Sequence, residues 1–352
     1  MAATGDRVPC VFIENGRVAG CDASAPIEVS YIANFEGEPT GKDNPELLYN
    51  LKSSHGHDMS IVNGIGRIGY MRGGGAALWK DENIADSITA RAVDFIRSHS
   101  DERFFLYFAA NDVHVPRFPH ERFRGRSGMG LRGDAIVQFD WSVGQLIAAL
   151  RDCGILDNTL VILTSDNGPV LDDGYVDGAE ELVGSHSPTG GLRGGKYSAF
   201  EGGARVPFVV SYSGCPRPGG VSDALVSQVD FLPSMAALVG VNLSSSLAID
   251  GEEQIDAWLG REAAGRRYII SQAANHTLSL RTADWKYISP NGGPTMVLWG
   301  PKIETGYSTV PQLYYMGNKG GEYVNIAPLY PAVAESLERL LQGEKKRENR
   351  EK

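Results

Sequence analysis

Thr159-Leu-Val-Ile-Leu-Thr-Ser-Asp166-Asn167-Gly168 joins a strand-length apolar run to a polar turn closed by glycine. An earlier stretch has the same grammar. Phe104-Phe-Leu-Tyr-Phe-Ala-Ala110 is continuously apolar and passes into Asn111-Asp112-Val-His114-Val-Pro116. Strands apolar on both faces, alternating with helices, belong to a parallel sheet covered on both sides. The helices are supplied by Glu82 to His99, with Ile84, Ile88, Ala92, Phe95 and Ile96 on one stripe, and by Gly133 to Leu150, apolar at Ile136, Val137, Trp141, Val143, Ile147 and Leu150. Arg205 to Ser211 continues the strands, and Gln228 to Gly240 supplies another helix closed by glycine. The expected class is α/β, a doubly wound, mostly parallel sheet. Beyond Ser244 the texture changes: Tyr268–Ile270, Thr277–Leu280, Trp285–Ile288 and Gln312–Tyr315 read as short strands, followed by a helix from about Pro331. The expected division is residues 1–250 and a small antiparallel α+β subdomain, 251–352. The charged tail from Glu344 reads as a solvated helix end or disorder.

Composition narrows the class. The 352 residues are 42% hydrophobic and 22% charged, an ordinary globular mix, with a net charge of −10. An acidic chain without a basic stripe is poorly suited to nucleic acid, whose phosphates demand Lys and Arg. No apolar run is long enough to span a membrane, and the first residues do not have the pattern of a secretory signal. Localisation stays open. The four cysteines have neither zinc-site spacing nor a disulfide pattern.

Ligands gather at the carboxyl ends of strands in open parallel sheets. There Asp166 and Asn167 offer two hard oxygens suited to Ca²⁺ or Mg²⁺, although Asp-Asn-Gly is equally an ordinary turn. His114 ends the other buried run, as a proton donor or anion ligand or as a hydrogen-bonded loop histidine. Gly190-Gly-Leu-Arg-Gly-Gly-Lys196 sets Gly-rich backbone beside cations, which suits an oxyanion. It is not a P-loop, because Tyr197 stands where Ser or Thr is needed and no strand leads into it. Gly64-Ile-Gly-Arg-Ile-Gly69 matches a dinucleotide fingerprint by chance, since Gly73-Gly-Gly75 would break the helix it requires.

Taken in order, Phe105-Leu-Tyr-Phe-Ala-Ala-Asn-Asp-Val-His114-Val-Pro116, Leu160-Val-Ile-Leu-Thr-Ser-Asp166-Asn167-Gly168, Leu192-Arg-Gly-Gly-Lys196 and Phe200-Glu-Gly-Gly-Ala-Arg-Val-Pro207 resemble the sulfatase family, of the arylsulfatase type. Gln228-Val-Asp230 and Leu280-Arg-Thr-Ala-Asp-Trp-Lys286 extend the likeness. The resemblance implies the alkaline-phosphatase-like fold and hydrolysis of a sulfate ester, aryl or carbohydrate. It makes Asp166 and Asn167 ligands of the active-site Ca²⁺ (or Mg²⁺), Lys196 the lysine on the sulfate, and His114 the histidine at the leaving oxygen. A metal and two cations holding an anionic ester, with a donor where charge develops, form a coherent site.

The family's nucleophile is a formylglycine made from Cys or Ser within C/S-x-P-x-R. None of Cys10, Cys21, Cys153 and Cys215 has proline two positions on, and Ser24-Ala-Pro26-Ile-Glu28 has Glu in place of Arg. The acidic pair and the Gly-Lys-x-His stretch of the family are also not found. The expectation is therefore an N-terminally truncated sulfatase that does not hydrolyse alone, with a strand edge and apolar faces uncovered. A non-catalytic binder of sulfated glycan is the second reading. A two-metal phosphoester hydrolase ranks behind both, because the seven histidines lack its ligand spacing. The loops at 14–80 and 169–190 are expected to shape the substrate pocket, with His55, His57, Arg67, Arg72 and His186 as candidates to meet a sugar or a second anion.

Overall fold

The computed structural model describes residues 5–216, 219–244, 247–317 and 321–350, the side chains of 348–350 excepted. The chain divides into two compact units.

Unit 1 comprises Met1–Leu156, Leu171–Ser187 and Trp299–Pro301. It begins with the hairpin β1 (Ile13–Glu14) and β2 (Arg17–Val18), turning at Asn15-Gly16. β3 (Glu28–Ser30) pairs with β6 (Tyr70–Arg72), and β4 (Ile61–Val62) with β5 (Ile65–Gly66). The glycine-rich 64–69 stretch is thus a small hairpin and its flank, not a nucleotide-binding turn. Helices α1 (Ile84–Ser98) and α2 (Gly130–Asp152) fall where periodicity places them. α1 buries Ile84, Ala92 and Ile96 from the expected stripe. α2 follows its apolar stripe only at Leu150: it also buries Arg132, Asp134, Gln138 and Ser142, leaving Ile136, Val137 and Trp141 half-buried. The reason is that α2 serves polar loops. Asp134 accepts from the backbone of Gly125 and Ser127 at 2.7 and 2.9 Å, and Gln138 accepts from His120 N–H at 2.9 Å. Buried loop amides need such partners. Val8, Cys10, Val62, Met71, Trp79 and Ile84 form one apolar cluster, and Leu51, Ile65, Val115 and Tyr175 another.

Unit 2 comprises Asp157–Val170, Pro188–Leu298 and Lys302–Lys352. β7 (Val161–Thr164) pairs with β8 (Phe208–Ser211), with the short helix α3 (Glu201–Ala204) between them in sequence. α4 (Phe231–Leu238) and α5 (Ile255–Trp258) pack on this pair through Phe231, Met235 and Trp258 against Ile162, Phe208 and Val210. β9 (Ile269–Gln272), β10 (Leu278–Arg281), β11 (Trp285–Ile288) and β12 (Gln312–Tyr315) form an antiparallel sheet in the order β12-β11-β10-β9. Register aligns Leu280 with Tyr287, and Tyr287 with Leu313. Those three side chains bury with Leu337 and Leu341 of α6 (Pro331–Arg350). This is the small antiparallel α+β piece read from the sequence, and here it lies within the larger unit 2. The charged tail continues α6 as far as Arg350, and its last two residues lie outside the described ones.

Helix and strand are mixed, as the α/β class requires. The expected parallel ladder is not among the described strand pairs: every named pair is antiparallel, and parallel pairing is confined to the single bridges Arg7–Ile68 and Leu51–Ile65. The Phe104–Ala110 run has no assigned ladder and alternates in exposure, with Phe105 at 72% and Tyr107 at 81%. An apolar run covered on one side only gains half of the burial that would fix it as a central strand.

Candidate functional site

β7 ends at Thr164, and the next residues turn sharply. Asp166 Oδ1 accepts from Asn167 N–H at 2.8 Å, and the Asn167 amide donates to Gly168 O at 2.9 Å. That orientation commits the nitrogen of the Asn167 side chain to the turn. Asn167 Oδ1 and Asp166 Oδ2 have no partner among the described residues. Two uncommitted hard oxygens on one turn fit a Ca²⁺ or Mg²⁺ ion chemically. They are a partial set, since no group of three or more His, Cys, Asp and Glu able to hold a metal occurs among the described residues. Gln228 braces the turn by donating to Ser165 O.

Backbone contacts bring the Lys196 loop to this turn within unit 2. Gly168 N–H donates to Gly203 O, and Lys196 N–H donates to Pro169 O, both at 2.9 Å. The approach depends on glycine, because a Cβ at Gly168 would sit 1.7 Å from Gly202 O. Asp166, Asn167 and Lys196 therefore share one end of β7. The Lys196 ammonium lies 5.3 Å from the centre of the Tyr197 ring. Tyr197 itself has φ of 79°, a left-handed conformation that costs a non-glycine residue about 1–3 kcal/mol. Next to this strained residue, α3 is anchored through Glu201, whose buried carboxylate accepts from Lys286 Nζ at 2.9 Å and lies 3.5 Å from Arg281 Nε. Burial pushes this carboxyl up, but Lys286 and Arg281 outweigh it, and the net direction is down. Glu322 beside it fares differently. One oxygen accepts from Glu201 N–H at 2.7 Å while the other is buried without a partner, and burial pushes the carboxyl up to about 7.

His114 lies in unit 1. Its Nδ1 is 2.8 Å from Val115 O, which fixes Nδ1–H as the donor, and its Nε2 is 3.9 Å from Asp173 Oδ2. The side chain is 46% exposed, so Nε2 is accessible. Just upstream, burial pushes the Asp112 carboxyl up to about 6, against the hydrogen bond it accepts from Gln138 at 3.0 Å. Sequence reading passed over Asp173. The Asp172-Asp173-Gly174 run was a usable signal, because paired acids in a glycine turn need cationic or polar partners. Here Asp172 faces His55, Asp173 faces His114, and Asp177 pairs with Arg117 at 2.7 Å in nearly complete burial.

The substrate-reading candidates separate cleanly. Arg67 is wholly buried, donating to Asp81 at 2.7 Å and Val62 O at 3.0 Å, and is a structural residue. His57 is buried with Nε2 3.6 Å from Asp6. Arg72 is paired with Glu28 at 2.8 and 3.0 Å, and His186 is exposed. His55 alone of the five is both partly exposed and close to Asp172, the neighbour of the acid that faces His114.

Comparison with known proteins agrees with this reading of motifs. The sulfatase family model matches residues 28–241. The N-acetylgalactosamine-6-O-sulfatase of Bacteroides thetaiotaomicron is 48% identical over 345 residues, covering 98% of this chain and 67% of that protein. Human arylsulfatase A is 31% identical over 256 residues, covering 68% of this chain and 48% of its own length. A solved structure from work on the metabolism of multiple glycosaminoglycans by Bacteroides thetaiotaomicron superposes with a TM-score of 0.94 at 48% identity, covering 98% of this chain and 71% of that one. A Pseudoalteromonas sulfatase, at 23% identity and a TM-score of 0.62, shares the fold. The chain belongs to the sulfatase family, hydrolases of the alkaline-phosphatase-like fold. It spans about two thirds of the length of the Bacteroides relative and about half that of the human one.

Proposed function

We propose that this chain is the part of a carbohydrate sulfatase that grips the sulfate ester, with the 6-O-sulfate of N-acetylgalactosamine as its substrate class. The name of the 48% identical relative supports the sugar. The observation that carries the reading is the double backbone tie, Gly168 to Gly203 and Lys196 to Pro169, which brings the loop of Lys196 to the turn that carries Asp166 and Asn167. Asp166 and Asn167 would hold a Ca²⁺ or Mg²⁺ ion, which when bound supplies positive charge against the ester's anionic oxygens. Lys196 meets the same anion as a point charge. His114, held by Val115 O and facing Asp173, presents Nε2 to pass a proton to the departing oxygen.

None of the 352 residues is assigned the attack on sulfur, because no Cys or Ser among them stands in C/S-x-P-x-R. Cys10 is no substitute: it is fully buried, and burial pushes its thiol up to about 11, so it stays protonated. That favours, for the 352 residues alone, the second reading of a binder of sulfated glycan without turnover. Calorimetry with N-acetylgalactosamine-6-sulfate in the presence of Ca²⁺, run beside a sulfate-release assay, separates the two. The expected result is saturable binding that Lys196→Ala weakens, with no sulfate released. Repeated turnovers lost in Lys196→Ala would reveal a nucleophile among these residues, and absence of any binding would reject both readings.

A further inference from the structure

A sulfate on a sugar leaves its oxygen with the sugar. If His114 serves that oxygen, as proposed above, the sugar ring is met by residues of His114's own unit. The segment facing His114 there is the turn at Asp172-Asp173, and Asp172 leads directly to a second polar group. Ser54 Oγ donates to Asp172 Oδ1 at 2.8 Å and lies 3.0 Å from His55 Nδ1. With its proton committed to Asp172, the Ser54 hydroxyl can only accept from His55 Nδ1–H. The relay His55–Ser54–Asp172 thus orients both side chains. It leaves His55 Nε2 and Asp172 Oδ2 as two acceptors with no partner among the described residues. The side chains are 23% and 26% exposed, so neither group is sealed in.

At Gly300 the backbone comes close to the His55 ring. Gly300, at φ of 54°, lies against the imidazole edge, and a Cβ there would come within 1.9 Å of His55 Cε1 and 2.5 Å of both ring nitrogens. Any larger residue would displace the ring or cover Nε2. Trp299, next to that glycine in the chain, is 49% exposed.

We infer that His55 and Asp172 form a subsite that reads the hydroxyls of the sugar bearing the sulfate. Two fixed acceptors select donors, so the groups recognised are hydroxyls of the ring. The inference rests on the sulfatase reading of His114.

The test uses the full chain and three probes: inorganic sulfate, N-acetylgalactosamine-6-sulfate and unsulfated N-acetylgalactosamine, each titrated with Ca²⁺ present. Asp172→Asn preserves shape and turns an acceptor into a donor, and Gly300→Ala covers the ring edge. Each is expected to weaken both sugars by ~10-fold, equivalent to about 1.4 kcal/mol, and to leave inorganic sulfate unchanged. Lys196→Ala is expected to weaken the two sulfate-bearing probes and spare the unsulfated sugar. Wild-type affinity for both sugars in Asp172→Asn, with sulfate binding intact, would overturn the subsite and leave the sulfatase reading standing. Failure of wild-type chain to bind inorganic sulfate would overturn the sulfatase reading and the subsite with it.

Discussion

Replacing Lys286 by methionine removes the cation that holds α3 and, through it, the turn carrying Asp166 and Asn167. Lys286 and Glu201 are 2% and 7% exposed and 2.9 Å apart. At an effective dielectric of about 20, that separation corresponds to an attraction of about 6 kcal/mol. Glu201 limits the damage by taking up a proton. At pH 7, protonating a carboxyl with an ordinary value of 4.5 costs about 3 kcal/mol. Arg281, at 3.5 Å, retains part of the attraction without a hydrogen bond, since its Nε is buried unpartnered. The net loss should be about 3–5 kcal/mol, the usual cost of stripping one partner from a buried pair. For a unit of this size that is a fall in Tm of roughly 6–20 °C. Circular-dichroism melts at pH 7 and pH 5 check the reasoning: protonation is cheap at pH 5, so the loss should shrink there to about 1–2 kcal/mol. The double variant Glu201→Gln/Lys286→Met should recover part of the stability, because it removes the buried carboxylate that lost its cation, while Arg281 in turn loses that carboxylate as its partner. A Tm within 3 °C of wild type for Lys286→Met, or an equal loss at both pH values, would refute this account.

Three further outcomes are expected. Glu322 has a folded pKa of about 7, above its ordinary 4.5, so the stability of its neutral form is complete below about pH 4.5 and disappears as the pH rises through about 7. Asp112, raised to about 6, acts in the same direction. Tm should therefore fall between pH 5 and pH 8, and Glu322→Gln should flatten that slope; an unchanged slope would exclude Glu322 as the source. Gly168→Ala should force β7 and α3 apart, costing about 1–3 kcal/mol, and should weaken sulfate binding although residue 168 offers no ligand. A variant with wild-type sulfate affinity would show that the backbone tie is dispensable. Calcium titration should give weak binding, because Asp166 and Asn167 supply two of the roughly six to eight oxygens that Ca²⁺ takes. Sub-micromolar affinity lost in Asp166→Ala would show that other residues of the chain complete the set.

Local pattern carried much of this protein. The stripe of α1, the strands at 161–164 and 285–288 and the polar turn after β7 follow from spacings of a few residues. The sequence motifs therefore reached the family and nominated Asp166, Asn167, Lys196 and His114. Tertiary structure decided what depends on segments distant in the chain. α2 buries Asp134 and Gln138 while Ile136, Val137 and Trp141 of its apolar stripe stay half-buried, because loops folding back on it bring amides that need acceptors. Arg67 looks like a substrate contact in sequence, but Asp81 and Val62 O enclose it. Phe104–Ala110 is apolar throughout, yet whether such a run becomes a central strand depends on what covers each face, and its own residues do not encode that. Asp173 comes to face His114, and Gly300 comes to lie against His55, across separations of 59 and 245 residues. Spacing within one segment registers which side chains share a face; only the path of the whole chain determines which faces meet.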